Sequence, residues 1–256
     1  SKLENIAVNQ MVTLDQNALS VLDREKREEV APPLFVRIEA PVYRHVENPF
    51  IDFDRDRLLY HMNSTEGPKM AAGDVNGDGE IDYYIGGAKG QSGTLLLTIQ
   101  GELEVSSQPV FEKDKISEDA ESILFDGDGD GDLDLYVCSG GTEFSQSSSA
   151  LKDRYYINDG KGLFTKSDQF LPSPKGYFST GTVSASDIDG DGDIDLFIGE
   201  RMKPVNYGVA GSGFLLINDG TGMFTHSVPE DFVDLGMVTS SSFTDLDLDG
   251  DDDLIV

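Results

Sequence analysis

Charge is the first constraint on what this 256-residue chain does. Its formal net charge of −29 argues against nucleic acid as a partner, because a polyphosphate repels an acidic surface. The length is sufficient for one large β domain, and the single cysteine excludes an intrachain disulfide. We therefore expect a globular protein that packing, and not cross-linking, holds together.

The first 33 residues differ in character from the rest. The apolar stretch IAVNQMVTL is followed by the charge run LDREKREEV and then by Ala31, Pro32 and Pro33. The prolines end any helix that the charge run forms, so a solvated linker is expected, mobile over residues 15–33. The sequence places a domain boundary between residues 33 and 34. Neither a signal peptide nor a transmembrane run is found, so export information is expected outside this segment.

Residues 34–69 show alternation of apolar and polar positions. The segments FVRI, YRHV and FIDF read as half-buried strands. We expect them to pack against the repeat that follows.

Four copies of one acidic pattern, Asp-x-Asp/Asn-x-Asp-Gly-x-x-Asp, follow. Calcium takes six to eight oxygen ligands, and loops of alternating carboxylates supply them. Side chains at loop positions one, three and five converge on the ion, a backbone carbonyl at seven adds an oxygen, and the acid at nine closes the shell. Position six is glycine in every copy, which allows a sharp turn at positive φ.

These acidic loops predict about four calcium ions, one in each. The predicted metal residues are Asp74, Asn76, Asp78, Glu80 and Asp82; Asp126, Asp128, Asp130, Asp132 and Asp134; Asp187, Asp189, Asp191, Asp193 and Asp195; and Asp245, Asp247, Asp249, Asp251 and Asp253. An EF-hand would need Glu at position twelve, where this chain has Ile or Val. The alternative is an Asp/Gly turn that binds nothing. Weak loops of this kind suit a compartment with millimolar calcium, so we expect an extracellular protein.

The loops also set a repeat. They begin at residues 74, 126, 187 and 245, and the similar segments YINDGKGLFTKS and LINDGTGMFTHS, with Asn158 and Asn218, read as strand, turn, strand. Repeats of this length with four strands each indicate the blades of a β-propeller, in which the acidic loop joins strands one and two. Residues 34–256 then hold about three complete blades and the start of a fourth. The fold class is all-β, and we expect an incomplete ring from a longer chain.

Over roughly residues 58–256 these motifs resemble the FG-GAP and VCBS repeat families, the propeller repeats of the integrin α subunit. The segment IGGAKG resembles the family's Gly-Ala-Pro segment, with Lys89 in place of proline. The resemblance implies calcium at the acidic loops. GPKMAAGDVNGDG and YYINDGKGLF look more narrowly like bacterial surface proteins with ASPIC/UnbV domains, and LENIAVNQMVTL resembles the tail of such a domain. Two departures are Asn76 for Asp and Asp252 at a usually apolar position.

The sequence carries no catalytic motif. HExxH and GxSxG are absent, and His45, His61 and His226 lie in separate segments, where structural roles are expected. We therefore expect a non-enzymatic module for adhesion or ligand binding, to a glycan or a protein at the cell surface. The alternative is part of a polysaccharide-degrading lyase or hydrolase, because some calcium propellers have that activity. A spacer without a ligand is a third reading.

A ligand is expected at the end of the blades opposite the acidic loops. Successive connections leave opposite ends of a blade, and the connections GGAKGQSG, SGGTEFSQSSSALKDR and GERMKPVNYGVAGSG lie at that end. They contribute cations and aromatic rings that suit an acidic ligand, namely Lys89, Phe144, Lys152, Arg154, Arg201, Lys203 and Tyr207. The alternative is that these cations only balance local acids such as Glu143 and Glu200. Cys138, in the apolar run LDLYVC, is expected to be buried.

Overall fold

The structure, a computed structural model, describes residues 43–256, which form β-strands and connecting loops with one short helix, α1 (Pro109–Asp114). The linker predicted at residues 1–33, its boundary and the strand FVRI lie outside the described residues. No helix within the described range is long and apolar enough to cross a membrane.

The strands form four antiparallel sheets that follow one another along the chain. The first blade contains β1 (Met70–Gly73), β2 (Asp82–Ile85), β3 (Thr94–Ile99) and β4 (Glu102–Ser106). The second contains β5 (Glu118–Phe125), β6 (Asp134–Gly140), β7 (Arg154–Asn158) and β8 (Phe164–Lys166). The third contains β9 (Ser179–Ser186), β10 (Asp195–Met202), β11 (Gly213–Asn218) and β12 (Phe224–Ser227). The last sheet is β13 (Ser242–Thr244) with β14 (Asp253–Ile255).

Within each complete blade the strands lie side by side in chain order. Every acidic loop joins the first strand of its sheet to the second, as the sequence predicts. Because all neighbouring strands are antiparallel, the connection between the second and third strands leaves from the opposite end of the blade. The acidic loops and the long connections therefore occupy opposite ends.

The first strands of successive sheets contact one another, β1 with β5, β5 with β9 and β9 with β13. The sheets therefore radiate from a shared inner line of first strands, as the blades of a propeller do. The prediction of an all-β, partial β-propeller is confirmed. The sheets of the described residues do not close a ring.

Two hydrophobic clusters fill the spaces between blades. Strand β6 supplies both, because successive side chains of a strand point to opposite faces. Leu135 and Val137 pack toward the first blade, whereas Tyr136 and Cys138 pack toward the third. Cys138 is completely buried, as expected, and burial raises the pKa of its thiol well above its ordinary value.

Phe111 of α1 is the central ring of the cluster between the first and second blades. It lies edge-on to Tyr84 of β2 and Tyr156 of β7, with ring centroids 5.3 and 5.0 Å apart. A helix of six residues is too short to be stable alone, so this packing accounts for its presence.

The prediction of strands at YRHV and FIDF is wrong, because residues 43–69 contain no strand and only a 3₁₀ turn at Asp52–Asp54. Side chains of the first blade take the place of a strand partner: the Val46 N–H donates to Gln91 Oε1 at 2.8 Å, and Gln91 Nε2 donates to the Arg44 carbonyl at 2.9 Å. These bonds confirm the predicted packing against the first blade for the described part of the segment, residues 43–69.

Candidate metal centre

The first acid of each loop organises the loop backbone. In the first loop the Asp74 carboxylate accepts the N–H groups of Gly77 at 2.8 Å and Gly79 at 2.7 Å. These bonds hold the pKa of Asp74 below its ordinary value, and the bond from Gly79 has the largest effect. Asp126, Asp187 and Asp245 accept the equivalent N–H of the position-six glycine at 3.0, 3.0 and 3.2 Å. All four loops therefore share this bond between the first carboxylate and the glycine at position six.

Position six has positive φ in all four loops, at 87°, 93°, 99° and 103°. This backbone conformation favours glycine, which explains why no copy of the pattern replaces it.

The ninth acid lies at the base of each loop, at the start of the second strand. Asp82, Asp134 and Asp195 are at most 1 % exposed. Asp82 accepts the N–H of Val75 at 3.1 Å and that of Thr98, on β3, at 2.8 Å. Asp195 accepts corresponding bonds from Ile188 at 2.9 Å and Asn218 at 2.7 Å. In the three complete blades the ninth acid thus joins its loop to the third strand of the same blade.

Burial raises the pKa of Asp82 and Asp195, and it raises that of Asp134 to about 6. Desolvation disfavours the charged form of each carboxyl group, and a bound cation would favour it. Asp82, Asp134 and Asp195 are therefore sites where a divalent ion would recover electrostatic energy.

In the first three loops, the side chain of the seventh residue points away from the loop centre. The Glu80 carboxylate accepts the N–H of Gly101, in the β3–β4 turn, at 3.1 Å. Asp132 and Asp193 are so close to the turn glycines Gly160 and Gly220 that a Cβ there would overlap their carboxylates. In these three loops only the backbone carbonyl of position seven is left for an ion, as expected from the sequence.

The structure brings carboxylates together in three of the four loops. The ligand atoms of each group lie within 4.8 Å of one another, in the clusters Asp126, Asp128 and Asp130; Asp187, Asp189 and Asp195; and Asp245, Asp247 and Asp253. In the first loop, position three is the amide Asn76, whose oxygen already accepts the Asp78 N–H at 3.0 Å. In the second loop, Asp128 Oδ1 is buried and has no hydrogen-bond partner. The donor set, hard oxygens with one unsatisfied, fits calcium.

The second loop differs from the others at its second position. Gly127 stands where the other loops have Val75, Ile188 and Leu246, and a Cβ on Gly127 would lie 2.4 Å from the Tyr155 hydroxyl. That hydroxyl donates to Asp134 Oδ2 and replaces the backbone N–H that serves Asp82 and Asp195. The exchange of Gly127 for a larger residue would displace Tyr155.

The predicted ligand residues at the opposite end are not equally accessible. Phe144 is 5 % exposed and Arg154 is 4 % exposed, and Arg154 Nη2 lies 2.7 Å from Asp119 Oδ1. Their burial removes both from the surface predicted for a ligand. Tyr207 and the remaining four cations stay partly exposed.

Each of those four cations has a neighbour. Lys89 Nζ lies 4.8 Å from the centroid of the Phe144 ring, and Lys152 Nζ lies 5.2 Å from that of Phe170. Arg201 is 3.2 Å from Glu66, and Lys203 is 3.9 Å from Asp234. Two of these cations also act on the acids expected from the sequence. Burial raises the pKa of Glu143 and that of Glu200, and the charges of Lys89 and Lys203, respectively, oppose these shifts. His45 and His61 lie 3.0 and 3.3 Å from Glu47 and Glu66.

Comparison with known proteins agrees with the blade geometry. Residues 126–198 match the family model of an FG-GAP-like repeat, which extends from the second acidic loop into the second strand of the third blade. No curated protein matches the chain. The resemblance of residues 3–14 to an ASPIC/UnbV domain stays a prediction. Residues 126–198 of the chain are therefore similar to an FG-GAP-like repeat.

Proposed function

We propose that this chain is a calcium-binding propeller module of an extracellular or cell-surface protein, and that it binds a ligand without catalysing a reaction. The observation that carries the calcium assignment is the convergence of carboxylates in three of the four loops, where ligand atoms lie within 4.8 Å of one another. Hard oxygen donors in this number and alternation suit calcium better than a softer metal. The FG-GAP-like repeat supports the same assignment.

Metal analysis after dialysis against trace calcium tests the first part. We expect about four ions per chain and a higher unfolding temperature in calcium, because an ion that binds only the folded state stabilises it. Asp191→Ala, in the third loop, should lose one ion, whereas Asp231→Ala, a surface acid outside the loops, should lose none. An unchanged ion count in Asp191→Ala would show that Asp191 holds no ion, and no ions in the unaltered protein would overturn the calcium assignment.

The ligand part concerns the end opposite the acidic loops. A cavity of ≈50 Å³ lies there, with Lys69, Arg201 and Glu118 in its wall. It has room for water but not for a sugar ring. We therefore assign ligand contact to the surface connections, where Lys89, Lys152, Arg201 and Lys203 offer partly exposed cations to an acidic glycan or protein loop.

A glycan array tests this surface. We expect acidic glycans to bind the unaltered protein and to bind the double variant Arg201→Ala, Lys203→Ala more weakly. A matched control, Lys113→Ala with Lys161→Ala, removes two exposed cations outside these connections and should leave binding unchanged. Equal binding by all three proteins would place the ligand elsewhere. New ultraviolet absorbance from uronic acid polymers would instead establish a lyase and overturn the non-enzymatic reading.

A further inference from the structure

Two buried asparagines connect the acidic loops of neighbouring blades. Asn158, the last residue of β7, is 5 % exposed, and its Nδ2 donates to two carbonyls. One belongs to Val75, in the loop of the first blade, at 2.7 Å; the other belongs to Leu133, in the loop of its own blade, at 3.0 Å. One amide group thus holds two acidic loops at a fixed separation.

Asn218 repeats the arrangement one blade later. It is 4 % exposed, and its Nδ2 donates to the Gly127 carbonyl of the second loop at 2.7 Å and to the Ile194 carbonyl of the third at 3.1 Å. In both cases the acceptors are position two of the preceding loop and position eight of the residue's own loop. The bond is therefore a property of the repeat and not an isolated contact.

The backbone of the same asparagines reaches the predicted metal ligands. The Asn158 N–H donates to Asp134 Oδ1 at 2.8 Å, and that of Asn218 donates to Asp195 Oδ1 at 2.7 Å. On the other side, the Val75 N–H donates to Asp82. A continuous path of hydrogen bonds therefore leads from the ninth acid of the first loop, through Val75 and Asn158, to the ninth acid of the second.

The first blade provides a natural comparison at the same strand position. Thr98 also donates its N–H to the ninth acid, Asp82, and its hydroxyl donates to the Ile81 carbonyl at position eight of its own loop. Within the described residues Thr98 makes no bond to the loop of another blade. Threonine therefore reproduces the contacts to the residue's own loop and lacks the donor that joins two loops.

We propose that Asn158 and Asn218 are positioning residues that couple neighbouring acidic loops, so that calcium in one loop raises the affinity of the next. An ion that orders position two and the ninth acid of one loop also orders the amide that holds the adjacent loop. The second ion then encounters a loop whose ordering cost is already reduced. Coupling of this kind is reciprocal between the two loops. The inference rests on the proposed calcium function and specifies how its sites act together.

The test uses a two-site background. Asp191→Ala and Asp249→Ala disable the third and fourth loops, and calorimetric calcium titration then reports on the first two. We expect two ions per chain. After statistical correction, the second ion should bind at least about fivefold more tightly than the first. Asn158→Thr should keep two ions and bring the ratio of the two affinities to about one. Asn218→Thr is the matched control: it spans the second loop and the disabled third, so the ratio should remain.

The possible outcomes separate the two proposals. No bound calcium in the unaltered protein would overturn both. Two ions that bind independently, or an unchanged ratio in Asn158→Thr, would overturn the coupling and leave the calcium function in place. An equal effect of Asn158→Thr and Asn218→Thr would also overturn it, because a general loss of stability would then explain both. Urea unfolding in chelator identifies such a loss, and Asn158→Ser replaces Asn158→Thr if the latter does not fold.

Discussion

At the scale of single residues, burial decides what a charged side chain does here. Arg154 lies in a connection that the sequence assigns to the surface, yet it is the first residue of β7 and faces Asp119 inside the molecule. Asp119 also accepts the Tyr84 hydroxyl at 2.7 Å and the Gly87 N–H at 2.8 Å. The pair is thus surrounded by hydrogen bonds that satisfy the carboxylate. The sequence shows the charge of Arg154, but not its partner, which lies 35 residues away.

Removal of the buried cation should be far more costly than removal of a surface one. Arg154→Met leaves the buried carboxyl group of Asp119 without its cation, and we expect the free energy of unfolding to fall by about 3–5 kcal/mol. Lys166→Met breaks a partly exposed pair with Asp114, for which we expect at most about 1 kcal/mol. Urea unfolding of the two variants measures both values. Similar losses would show that Asp119 remains satisfied by its other donors.

Glu200 predicts a dependence of stability on pH. Burial raises its pKa from 4.5 to about 7, although the Ser212 N–H, 3.0 Å from the carboxylate, opposes the shift. Because the folded state binds this proton more tightly than the unfolded state, the contribution of Glu200 to stability is greatest at low pH. That contribution falls as the pH rises from about 4.5 to about 7 and is constant above.

Glu200→Gln should therefore flatten the profile. Glutamine keeps an acceptor for the Ser212 N–H but does not ionise. Between pH 4.5 and 7, we therefore expect the unfolding free energy of the variant to fall by up to about 3 kcal/mol less than that of the unaltered protein. Urea unfolding in calcium-free buffer gives the profile. Glu230→Gln, at an exposed position, serves as the control and should leave the profile unaltered. Parallel profiles for Glu200→Gln and the unaltered protein would contradict the assignment.

At the scale of elements, the repeat explains why so much of the fold is predictable. Two-residue alternation and the NDG turns mark the strands of the blades, and the antiparallel order then places the acidic loops at one end. Residues 43–69 are different, because their backbone bonds go to distant side chains that local alternation does not reveal. The same holds for Asn158 and Asn218: their position in an NDG turn is visible in the sequence, but the carbonyl that each reaches depends on how neighbouring blades pack.

The hydrogen bonds of a glutamine between neighbouring blades are a further feature that the sequence did not reveal. Gln108 Nε2 donates to the Gly162 carbonyl at 2.6 Å, and Gln108 Oε1 accepts the Phe164 N–H. Gln169 makes the same two bonds, to Gly222 and Phe224, one blade later. The only signal for this role is that two glutamines lie at corresponding points of the repeat.

Truncation of Gln108 should destabilise the outer hairpin of the second blade. Gln108→Ala leaves the Gly162 carbonyl and the Phe164 N–H without partners in a buried position, and we expect a loss of about 1–3 kcal/mol in urea unfolding. Gln100→Ala, in an exposed turn, is the control and should cost much less. Equal losses would show that water satisfies the two backbone groups.

Asp52 joins residues 43–69 to the second blade. It is completely buried and accepts the Ser64 N–H at 3.1 Å, the Ser64 hydroxyl at 2.7 Å and the Thr142 hydroxyl. Asp52→Ala should free the segment, because three donors lose their acceptor. We expect faster tryptic cleavage at Arg55 and Arg57 in this variant, whereas Asp54→Ala, an exposed neighbour, should be cleaved at the original rate. Cleavage at Arg44 or Arg55 in the unaltered protein before Arg24 or Arg27 would contradict the packing of this segment.

At the scale of the whole molecule, the distribution of charge predicts a link between stability and the proposed calcium ions. The four acidic loops contain 20 of the 48 acidic residues, and they lie at one end of the blades. Four divalent ions would add +8 to a net charge of −29 and leave −21. Repulsion among carboxylates at this end therefore opposes folding most when calcium is absent.

Salt should substitute for part of the effect of calcium. Sodium chloride shortens the screening length from about 30 Å at 0.01 M to about 10 Å at 0.1 M, which weakens repulsion between loops. We expect the unfolding temperature to rise over this range in chelator, and to rise much less in saturating calcium, because bound ions already neutralise the loops. Magnesium is the matched control, since it prefers a smaller octahedral shell and should not replace calcium at equal concentration. The same salt dependence with and without calcium would contradict this account, because it would place the destabilising charge outside the acidic loops.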